Sequence, residues 1–479
     1  MFRRTVAVLA VAAVASIGSP RTVTAQAAEG LAAPVQAYVS VSAPSVAITN
    51  VTLIDGTGAP AQRNRTVVIR DGRIAEILAA GDFAPSSAGG EMEVIDGTGH
   101  TLIPGMMGLH NHLYYTAAGG RGMQLNYSAP RLYLGSGVTT VRTTGSRNAY
   151  AEINLKNEIE SGRAPGPRIH ITAPYITGGE GQTTMTLVNS PEAARRFVAY
   201  WADEGATWLK AYTNVGYDEM AAAVDEAHKR GLKVTGHICS ISFKEAVELG
   251  FDNIEHGLLT NSDYDPAKQR SQCPETFMNH AIQIDPAGAE AQETFRTMVE
   301  AGVPMTSTLA VYELFVQGRP TRDPRSLEAM APEVRTAYLE AKENIDQEGW
   351  PPEVLENAMA YERAFVDAGG LLASGVDPTG NGGALPGYGD QRNLELLEEA
   401  GFAPEEIVQI VSLNGARILD VDDELGSIET GKIADLVLMR GDLTESASAI
   451  RDVVTVFKDG VGYDSGRLFA AVKGRVGIN

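Results

Sequence analysis

The chain has 479 residues, enough to bury a large core, and its 44% hydrophobic and 21% charged content is that of an ordinary globular protein. Acidic residues outnumber basic ones by 60 to 39, and the formal net charge of −21 disfavours nucleic acid and anionic membrane surfaces as partners. This length allows about two to four domains, or one barrel with an appended module.

Residues 1–27 have the order of a cleavable secretory signal. Arg3 and Arg4 precede an apolar run, and an Ala-Gln-Ala sequence follows it. The run is shorter than the about 20 residues of a membrane span, and no later segment reaches that length. We therefore predict a signal peptide, cleavage near Ala27, and an exported protein, periplasmic or secreted, without a membrane span.

The next two segments differ in pattern. Residues 28–44 are rich in Ala, Ser, Val and Pro without a clear period, and we predict a linker there. Residues 45–103 contain short β-branched runs separated by Gly, Asn and Asp turns. This alternation predicts an antiparallel β-module.

The stretch 102–115, LIPGMMGLHNHLYY, predicts a buried strand with two histidines near its end. Residues i and i+2 of a strand face the same side, so His110 and His112 point together. Two neutral imidazoles aimed at one point suit Zn²⁺ or a similar divalent cation. A pair of histidines can also occur in a strand by chance, so a metal site requires further ligands elsewhere.

Seven further apolar runs follow, and most are separated by amphipathic stretches that end at Gly, as helices commonly do. These runs are 138–144, 168–174, 207–212, 233–238, 253–257, 303–309 and 371–377. Eight strands that alternate with helices predict an α/β fold, a (β/α)₈ TIM barrel over residues 104–420. The long connections 258–287 and 312–370 are expected to shape or cover a pocket at the C-terminal face of the strands.

The last segment, residues 421–479, returns to short β-runs like those of residues 45–103. We predict that the N- and C-terminal segments form one small β-sandwich-like domain.

Four candidate functional residues stand at the ends of predicted strands: Lys210, His237, His256 and Asp377. The C-terminal ends of barrel strands present functional side chains. Each residue has an ordinary alternative, because a lysine can extend into solvent, a histidine can be part of the core, and Asp before Pro is common in turns. The other histidines lack this position and are interpreted as structural: His100, His170, His228 and His280.

Several motifs together resemble the metal-dependent amidohydrolase superfamily, in its binuclear carboxylated-lysine type, which includes prolidase-like dipeptidases and ochratoxinase. They are the Pro-Gly and HxH strand, Lys210 in a K-x-Y context, IEHG, GVD ending at Asp377, and LNGARIL followed by LGSIETGKIADLVL. The resemblance covers roughly residues 46–460. One departure is Gly108, where the family's PGxxDxHxH pattern has Asp.

The resemblance implies a cofactor of two divalent metal ions, expected to be Zn²⁺. His110, His112 and Asp377 would hold one ion, and His237 and His256 the other. A CO₂-derived carbamate on Lys210 would bridge them, which requires a neutral amine, and burial favours that form. Asp377 would act as general acid and base for a hydroxide shared by the two ions.

The predicted function is an exported hydrolase that cleaves an amide bond in a small molecule of the dipeptide or N-acyl amino acid type. Candidate substrate-binding residues at or just beyond strand ends are Tyr114, Tyr115, Arg142 and Tyr212, with core packing as the alternative for each tyrosine.

Other functions remain open. The same chemistry serves lactone, phosphoester and cyclic-amide hydrolases of the superfamily, and a barrel without catalysis could be an interaction module. Lys210 counts against imidazolonepropionase, which normally lacks this lysine and uses one metal. A deaminase function fits the sequence poorly, because no Glu follows His237 closely enough to match the usual deaminase pattern.

The two cysteines, Cys239 and Cys273, are expected to be unpaired buried thiols, since a chain of this size needs no covalent link. A disulfide is the alternative in an oxidising compartment. A homo-oligomer is compatible with the sequence, which does not determine the oligomeric state.

Overall fold

The computed structural model describes residues 28–79, 81–83, 92–179, 185–319 and 323–477. The signal peptide that we predict over residues 1–27 lies outside these described residues. The strands are β1 (Val39–Val41), β2 (Ser45–Leu53), β3 (Gln62–Arg70), β4 (Arg73–Leu78), β5 (Glu93–Asp96), β6 (His100–Pro104), β7 (Met106–Asn111), β8 (Tyr114–Ala117), β9 (Arg121–Gln124), β10 (Val138–Thr143), β11 (Arg168–Ile171), β12 (Ile176–Thr177), β13 (Thr186–Leu187), β14 (Trp208–Ala211), β15 (Lys233–Gly236), β16 (Ile254–Glu255), β17 (Met305–Ser307), β18 (Leu372–Ser374), β19 (Leu436–Arg440), β20 (Val453–Lys458) and β21 (Val461–Asp464).

The helices are α1 (Ala33–Gln36), α2 (Ser128–Gly135), α3 (Ala149–Glu160), α4 (Pro191–Asp203), α5 (Tyr217–Lys229), α6 (Phe243–Leu249), α7 (Phe277–Ala281), α8 (Ala289–Ala301), α9 (Leu309–Glu313), α10 (Pro324–Ala329), α11 (Pro332–Glu348), α12 (Pro352–Asp367), α13 (Tyr388–Glu399), α14 (Pro404–Val411), α15 (Leu413–Ile418) and α16 (Ser465–Val472). Within the described residues, no helix combines the length and the apolar character that crossing a membrane requires.

One nine-stranded sheet combines strands from both ends of the chain, in the order β1-β21-β20-β19-β6-β2-β3-β4, with β5 also paired to β2. Strands of the two segments pack a common buried cluster that includes Val46, Ile48, Leu436 and Phe457. Because these strands are hydrogen-bonded into a single sheet, a sandwich-like arrangement is not confirmed.

The pairing inside this sheet corrects the expectation of a purely antiparallel module. Strand β2 pairs antiparallel with β3 but parallel with β5 and β6. Parallel neighbours require a crossover connection. Here the β3–β4 hairpin and the residues after it supply that connection.

Residues 28–44 contain regular structure, so our expectation of a plain linker is wrong for this segment. It carries α1 and β1, and β1 pairs antiparallel with β21. Val35 is fully buried, and the Ala32 amide donates to the Gly162 carbonyl at 2.9 Å. The apolar positions were sufficient for packing, although they have no clear period.

The strands expected to form the barrel pair in parallel within three sheets, ordered β11-β10-β7, β13-β12-β14-β15 and β16-β17-β18. Helices alternate with them along the chain. This is a TIM-barrel-like α/β fold, although the paired strands form separate sheets and not one closed ladder. All parallel strands of such a fold end at the same face, where the side chains considered below are found.

Backbone hydrogen bonds also connect the three sheets. The Ala173 amide donates to the Trp208 carbonyl at 2.9 Å, and the Asp252 amide to the Val234 carbonyl at 2.9 Å. The Asp377 amide donates to the His110 carbonyl at 2.8 Å. The end of β7 is therefore held beside the residues that follow β18.

Both long connections contain helices. The connection after β16 carries α7, and the one after β17 carries α10, α11 and α12.

Cys239 and Cys273 form a disulfide with their Cα atoms 5.0 Å apart, which corrects our expectation of unpaired thiols. The connection after β16 folds back against the end of β15, where the Ser262 hydroxyl donates to the Cys239 carbonyl at 2.7 Å. That return path is a tertiary feature, which the spacing of the cysteines does not reveal.

Candidate metal centre

The HxH pair lies at the end of β7 and points to one side, as strand alternation requires. His110 and His112 are buried, with 2% and 1% of their surface exposed, and their ring centroids are 5.4 Å apart. Asn111 between them points away and donates to the Asp390 carboxylate at 2.8 Å. The two imidazoles can therefore serve one cation without competition from the intervening side chain.

Asp377, which follows β18, brings a carboxylate to these two rings. Its Oδ1 lies 3.2 Å from His112 Nε2, and its Oδ2 lies 3.7 Å from His110 Nε2. One ligand atom from each of the three residues lies within 4.8 Å of the others. Two imidazoles and one carboxylate at this spacing are a suitable ligand set for a divalent transition metal.

The backbone at this site adopts an uncommon conformation. Asp377 has φ of 45° and His256 has φ of 72°, both in the left-handed region that non-glycine residues rarely occupy. Such conformations persist where the surrounding structure imposes them, and they concentrate at functional sites.

His237, His256 and Lys210 lie on the other side of this cluster. The His256 ring is 4.3 Å from the His110 ring and 4.4 Å from the His237 ring, centroid to centroid. His256 Nε2 lies 3.9 Å from Asp377 Oδ2. The structure thus brings all six predicted ligands to one place.

Three buried polar atoms of this group have no hydrogen-bond partner among the described residues: His112 Nδ1, Lys210 Nζ and His256 Nε2. Such atoms are rare in folded proteins because they lose the hydrogen bonds of water. Burial also lowers the pKa of Lys210 to about 8, which raises the neutral fraction of its amine. A divalent metal site with a modified lysine fits these residues.

The imidazoles are held in the state that binds metals. Burial lowers the pKa of His110 and His256 well below the ordinary value, and that of His237 to about 4. Burial acts to raise the pKa of Asp377, but His110, the hydrogen bond from His112 and nearby Lys210 hold it below its usual range. Neutral imidazoles therefore face an ionised carboxylate.

Hydrogen bonds behind the site orient two of the rings. His110 Nδ1 lies 2.8 Å from Glu255 Oε2, and His256 Nδ1 lies 2.8 Å from Thr308 Oγ1. Each ring therefore presents Nε2 to the centre, as metal-binding histidines with a hydrogen-bonded second nitrogen do.

Glu255 is fully buried and has further partners. Arg142 Nη2 donates to its Oε1 at 2.5 Å, and the Thr235 hydroxyl donates to the same oxygen. These three residues, Arg142, Thr235 and Glu255, are called the supporting network below.

A cavity of about 240 Å³ opens over the centre. Its lining residues are His110, His112, Tyr114, Thr116, Arg147, Tyr175, Met185, Lys210, Tyr212, His237, Asp377 and Thr379.

Two of the four predicted substrate-binding residues, Tyr114 and Tyr212, line this cavity. Tyr115 does not, because strand alternation turns it to the opposite side, where its hydroxyl donates to the Gly382 carbonyl at 2.6 Å. Arg142 is not in the lining either. Its side chain lies fully buried behind the histidines, where its Nε donates to the Leu109 carbonyl at 2.8 Å.

Sequence reasoning missed Arg147, Tyr175, Glu255 and Thr308. Glu255 could have been noticed, because an acidic residue directly before a ligand histidine in a buried strand requires a partner. Arg147 and Tyr175 lie in loops after β10 and β11, and no local pattern distinguishes them from other loop residues.

Residues 101–462 match the model of the amidohydrolase family, so the chain belongs to that family. This membership confirms the predicted superfamily and the predicted class of enzyme, a hydrolase that acts on C–N bonds.

Two curated relatives match a short part of the chain, and both are imidazolonepropionases. The one from Caldanaerobacter subterraneus subsp. tengcongensis is 35% identical over 82 residues, which are 16% of this chain and 20% of that protein. The one from Fusobacterium nucleatum subsp. nucleatum is 32% identical over 84 residues, 16% and 19% of the two chains. The chain spans only about a fifth of the length of these relatives.

Solved structures resemble nearly the whole chain. A prolidase candidate from Bifidobacterium longum is 25% identical with a TM-score of 0.63, covering 89% of this chain and 98% of that one. A Xaa-Pro dipeptidase with bound methionine is 22% identical with a TM-score of 0.65, and the match covers 88% of this chain and 100% of that one. The ochratoxinase of A. niger is 16% identical with a TM-score of 0.62, and the match covers 88% of this chain and 95% of that one. The last two likenesses show the shared fold.

Proposed function

We propose that the chain is an exported, binuclear metal-dependent hydrolase that cleaves an amide bond in a dipeptide or an N-acyl amino acid. The observation that carries this proposal is the cluster of His110, His112 and Asp377 beside the buried, unpartnered amine of Lys210.

In this proposal His110, His112 and Asp377 hold one divalent ion, and His237 and His256 hold the second. Lys210, carboxylated by CO₂, bridges the two. Zn²⁺ is the proposed identity because imidazole nitrogen and carboxylate oxygen are its usual ligands beside thiolate. Bound cations of this kind polarise a carbonyl and lower the pKa of water.

Asp377 is the proposed proton carrier. Its Oδ1 lies 3.2 Å from His112 Nε2 and its Oδ2 lies 3.7 Å from His110 Nε2, so the carboxylate reaches the centre where the attacking water would be bound. The side chain lines the cavity, where water and substrate meet. We infer that Asp377 accepts the proton of the attacking water and donates it to the leaving amine.

The cavity supports a small amide substrate. Its volume of about 240 Å³ suits two amino-acid residues better than a long peptide, and its lining contains the hydroxyls of Tyr114, Tyr175 and Tyr212. The likeness to a prolidase candidate at 25% identity over most of both chains points the same way.

A cyclic amide is the second candidate substrate, because the curated relatives over their short matching segments are imidazolonepropionases. Lys210 at the centre weighs against it, since the mononuclear enzymes normally lack this residue. Lactones and phosphoesters are open to the same hydrolytic chemistry and belong in the same substrate screen.

We also propose that β7, β10, β11, β14, β15, β16, β17 and β18 are successive strands of one (β/α)₈ barrel over residues 104–420. The hydrogen bonds between the separate sheets support this ring. Residues 45–103 and 421–479 would form the small domain. We propose that residues 1–27 direct export and are removed from the mature chain. N-terminal sequencing of protein recovered from the periplasm or medium can test this.

The central experiment measures metal content and hydrolysis on the same purified sample. We expect about two divalent ions per chain, loss of activity on chelation, and turnover of members of a dipeptide and N-acyl amino acid library. Full activity in a metal-free preparation would exclude the mechanism. Turnover of cyclic amides, lactones or phosphoesters alone would favour the alternatives, and no turnover with metals bound would favour an interaction module.

Lys210→Ala tests the bridge. We expect loss of metal and of turnover, with partial recovery when short carboxylic acids replace the carbamate. Lys229→Ala on the surface of α5 is the matched control, because Lys229 only pairs with Asp225. If Lys210→Ala keeps both metals and normal turnover without additives, Lys210 has no role in the centre.

A further inference from the structure

We propose that Arg147 binds a free carboxylate of the substrate and thereby restricts the enzyme to amides that carry a carboxylate close to the scissile bond. This inference rests on the proposed function, which it deepens by assigning the selectivity to one residue.

Arg147 lies in the loop between β10 and α3 and lines the cavity over the metal centre. Its side chain makes no hydrogen bond and no ion pair with the residues that the structure describes, and its buried Nε has no partner. An arginine carries a permanent charge and five donors, so an unpaired guanidinium inside a cavity is costly without an anion. The nearest buried glutamate along the chain, Glu152, binds the Ser146 hydroxyl instead.

Arg147 is nevertheless held in place by packing. Its guanidinium carbon lies 4.6 Å from the centroid of the Tyr114 ring, in a cation–π contact. A Cβ atom on Gly122 of β9 would lie 2.3 Å from Arg147 Nη1, so this glycine leaves the room that the guanidinium occupies. The hairpin of β8 and β9 thus supports a cation that has no counter-charge among the described residues.

The position of Arg147 relative to the centre follows from the same contacts. The Tyr114 ring stacks on the His112 ring with centroids 4.4 Å apart and an interplanar angle of 21°. Arg147 is therefore one aromatic ring away from a predicted metal ligand. Because Arg147 and the ligands line one cavity, a substrate whose amide lies at the centre can place a carboxylate at the guanidinium.

The chemistry of Arg147 selects the ligand. A guanidinium binds a carboxylate through two parallel hydrogen bonds, a geometry that a neutral amide cannot reproduce because an amide has one oxygen and a donor group. The hydroxyls of Tyr114 and Tyr175 contact each other beside this position and add hydrogen-bonding groups. A substrate with a blocked carboxylate would leave the arginine unpaired.

The test compares matched substrates that differ only in a terminal carboxylate or its primary amide, using the metal-loaded enzyme. We expect the wild type to prefer the free carboxylate. Arg147→Gln should lower kcat/KM for the carboxylate form by about 10²-fold while kcat/KM for the amide form and the metal content stay unchanged. Arg147→Lys should recover part of the preference.

Two further variants separate binding from structure. Gly122→Ala should displace the guanidinium and reproduce the selective loss without removing the charge. Arg475→Gln is the matched control, because Arg475 is exposed and also stacks on a tyrosine, Tyr127 at 5.0 Å, and neither residue lines the cavity. An equal loss for both substrate forms, or an unchanged carboxylate preference in Arg147→Gln, would overturn the inference.

Failure of the role proposed for Arg147 can be distinguished from failure of the proposed function. If the metal-loaded wild type hydrolyses amides without regard to the terminal carboxylate, only the role of Arg147 fails. If it hydrolyses no amide, the proposed function fails, and calorimetric binding of N-acetyl amino acids against their amides still tests Arg147. Tighter binding of the acids that Arg147→Gln abolishes supports the inference, and equal binding overturns it.

Discussion

Arg142 and Arg147 stand five residues apart, one in β10 and the other in the loop after it, yet their surroundings are opposite. Arg142 is fully buried, donates to Glu255 and to the Leu109 carbonyl, and lies 4.3 Å over the Trp208 ring. Arg147 faces the cavity with an aromatic contact and no ion pair among the described residues.

The difference shows how the molecule separates two tasks. The supporting network of Arg142, Thr235 and Glu255 pairs the buried guanidinium with a buried carboxylate and fixes the orientation of His110. The cavity wall, formed by Tyr114, Arg147 and Tyr175, presents polar groups toward the space that a substrate would enter. Changes in the supporting network should therefore affect stability and metal binding, and changes in the wall should affect substrate affinity.

The largest effect on turnover is expected at Asp377, which lies between the two regions. Asp377→Asn keeps an oxygen for the metal but cannot carry a proton, so kcat should fall by about 10²-fold or more while much of the metal is retained. Metal content and turnover are measured on one sample, with the exposed Asp423→Asn as control. Near-normal turnover with metal retained would mean that another residue carries the proton.

Replacement of Arg142 comes next and sharpens the comparison directly. Arg142→Met leaves the Glu255 charge buried without its partner, and we expect the free energy of unfolding to fall by about 3–5 kcal/mol. Arg147→Met should change it by no more than about 0.5 kcal/mol. Urea denaturation of both variants measures this, and equal destabilisation would remove the distinction between the two arginines.

Glu255→Gln breaks the same buried pair from the other side and also weakens the hydrogen bond that orients His110, so its distinctive effect is on metal affinity. Loss of such a contact behind a ligand typically lowers metal affinity about 10–100-fold. Competition with a metal-binding dye measures the affinity. The control is Glu152→Gln, since Glu152 is also buried but bonds to Ser146 and not to a histidine; burial raises its pKa to about 8, so its neutral form already resembles Gln. The same loss in both variants would point to general destabilisation.

The smallest effect concerns the wall. The Tyr175 hydroxyl lies 3.3 Å from His112 Nε2 and contacts Tyr114. Tyr175→Phe should raise KM about five-fold, the scale of one neutral hydrogen bond, without changing metal content or stability. Tyr200→Phe on the exposed face of α4 is the control. A large loss of metal in Tyr175→Phe would place this tyrosine in the supporting structure instead.

Much of the fold and of the candidate centre follows from local sequence patterns. Alternation along one strand makes His110 and His112 point together, and this holds wherever the strand lies. Lys210, His237, His256 and Asp377 could be expected to converge because the C-terminal ends of parallel strands meet at one face. The motifs that resemble the amidohydrolase superfamily indicated which of these residues to group as ligands of one centre.

Other features depend on contacts between distant segments and were decided only by the tertiary structure. The disulfide depends on the path of the connection after β16, and the parallel pairing of β2 with β5 and β6 depends on how the chain returns after β4. The sequence analysis named Arg142 as a candidate residue of the pocket, but the structure places Arg147 in the cavity lining. This difference also depends on contacts between distant segments. Both arginines lie near the end of one strand, and only the arrangement of Glu255 behind that strand and of Gly122 beside the loop determines which guanidinium is paired and which faces the cavity.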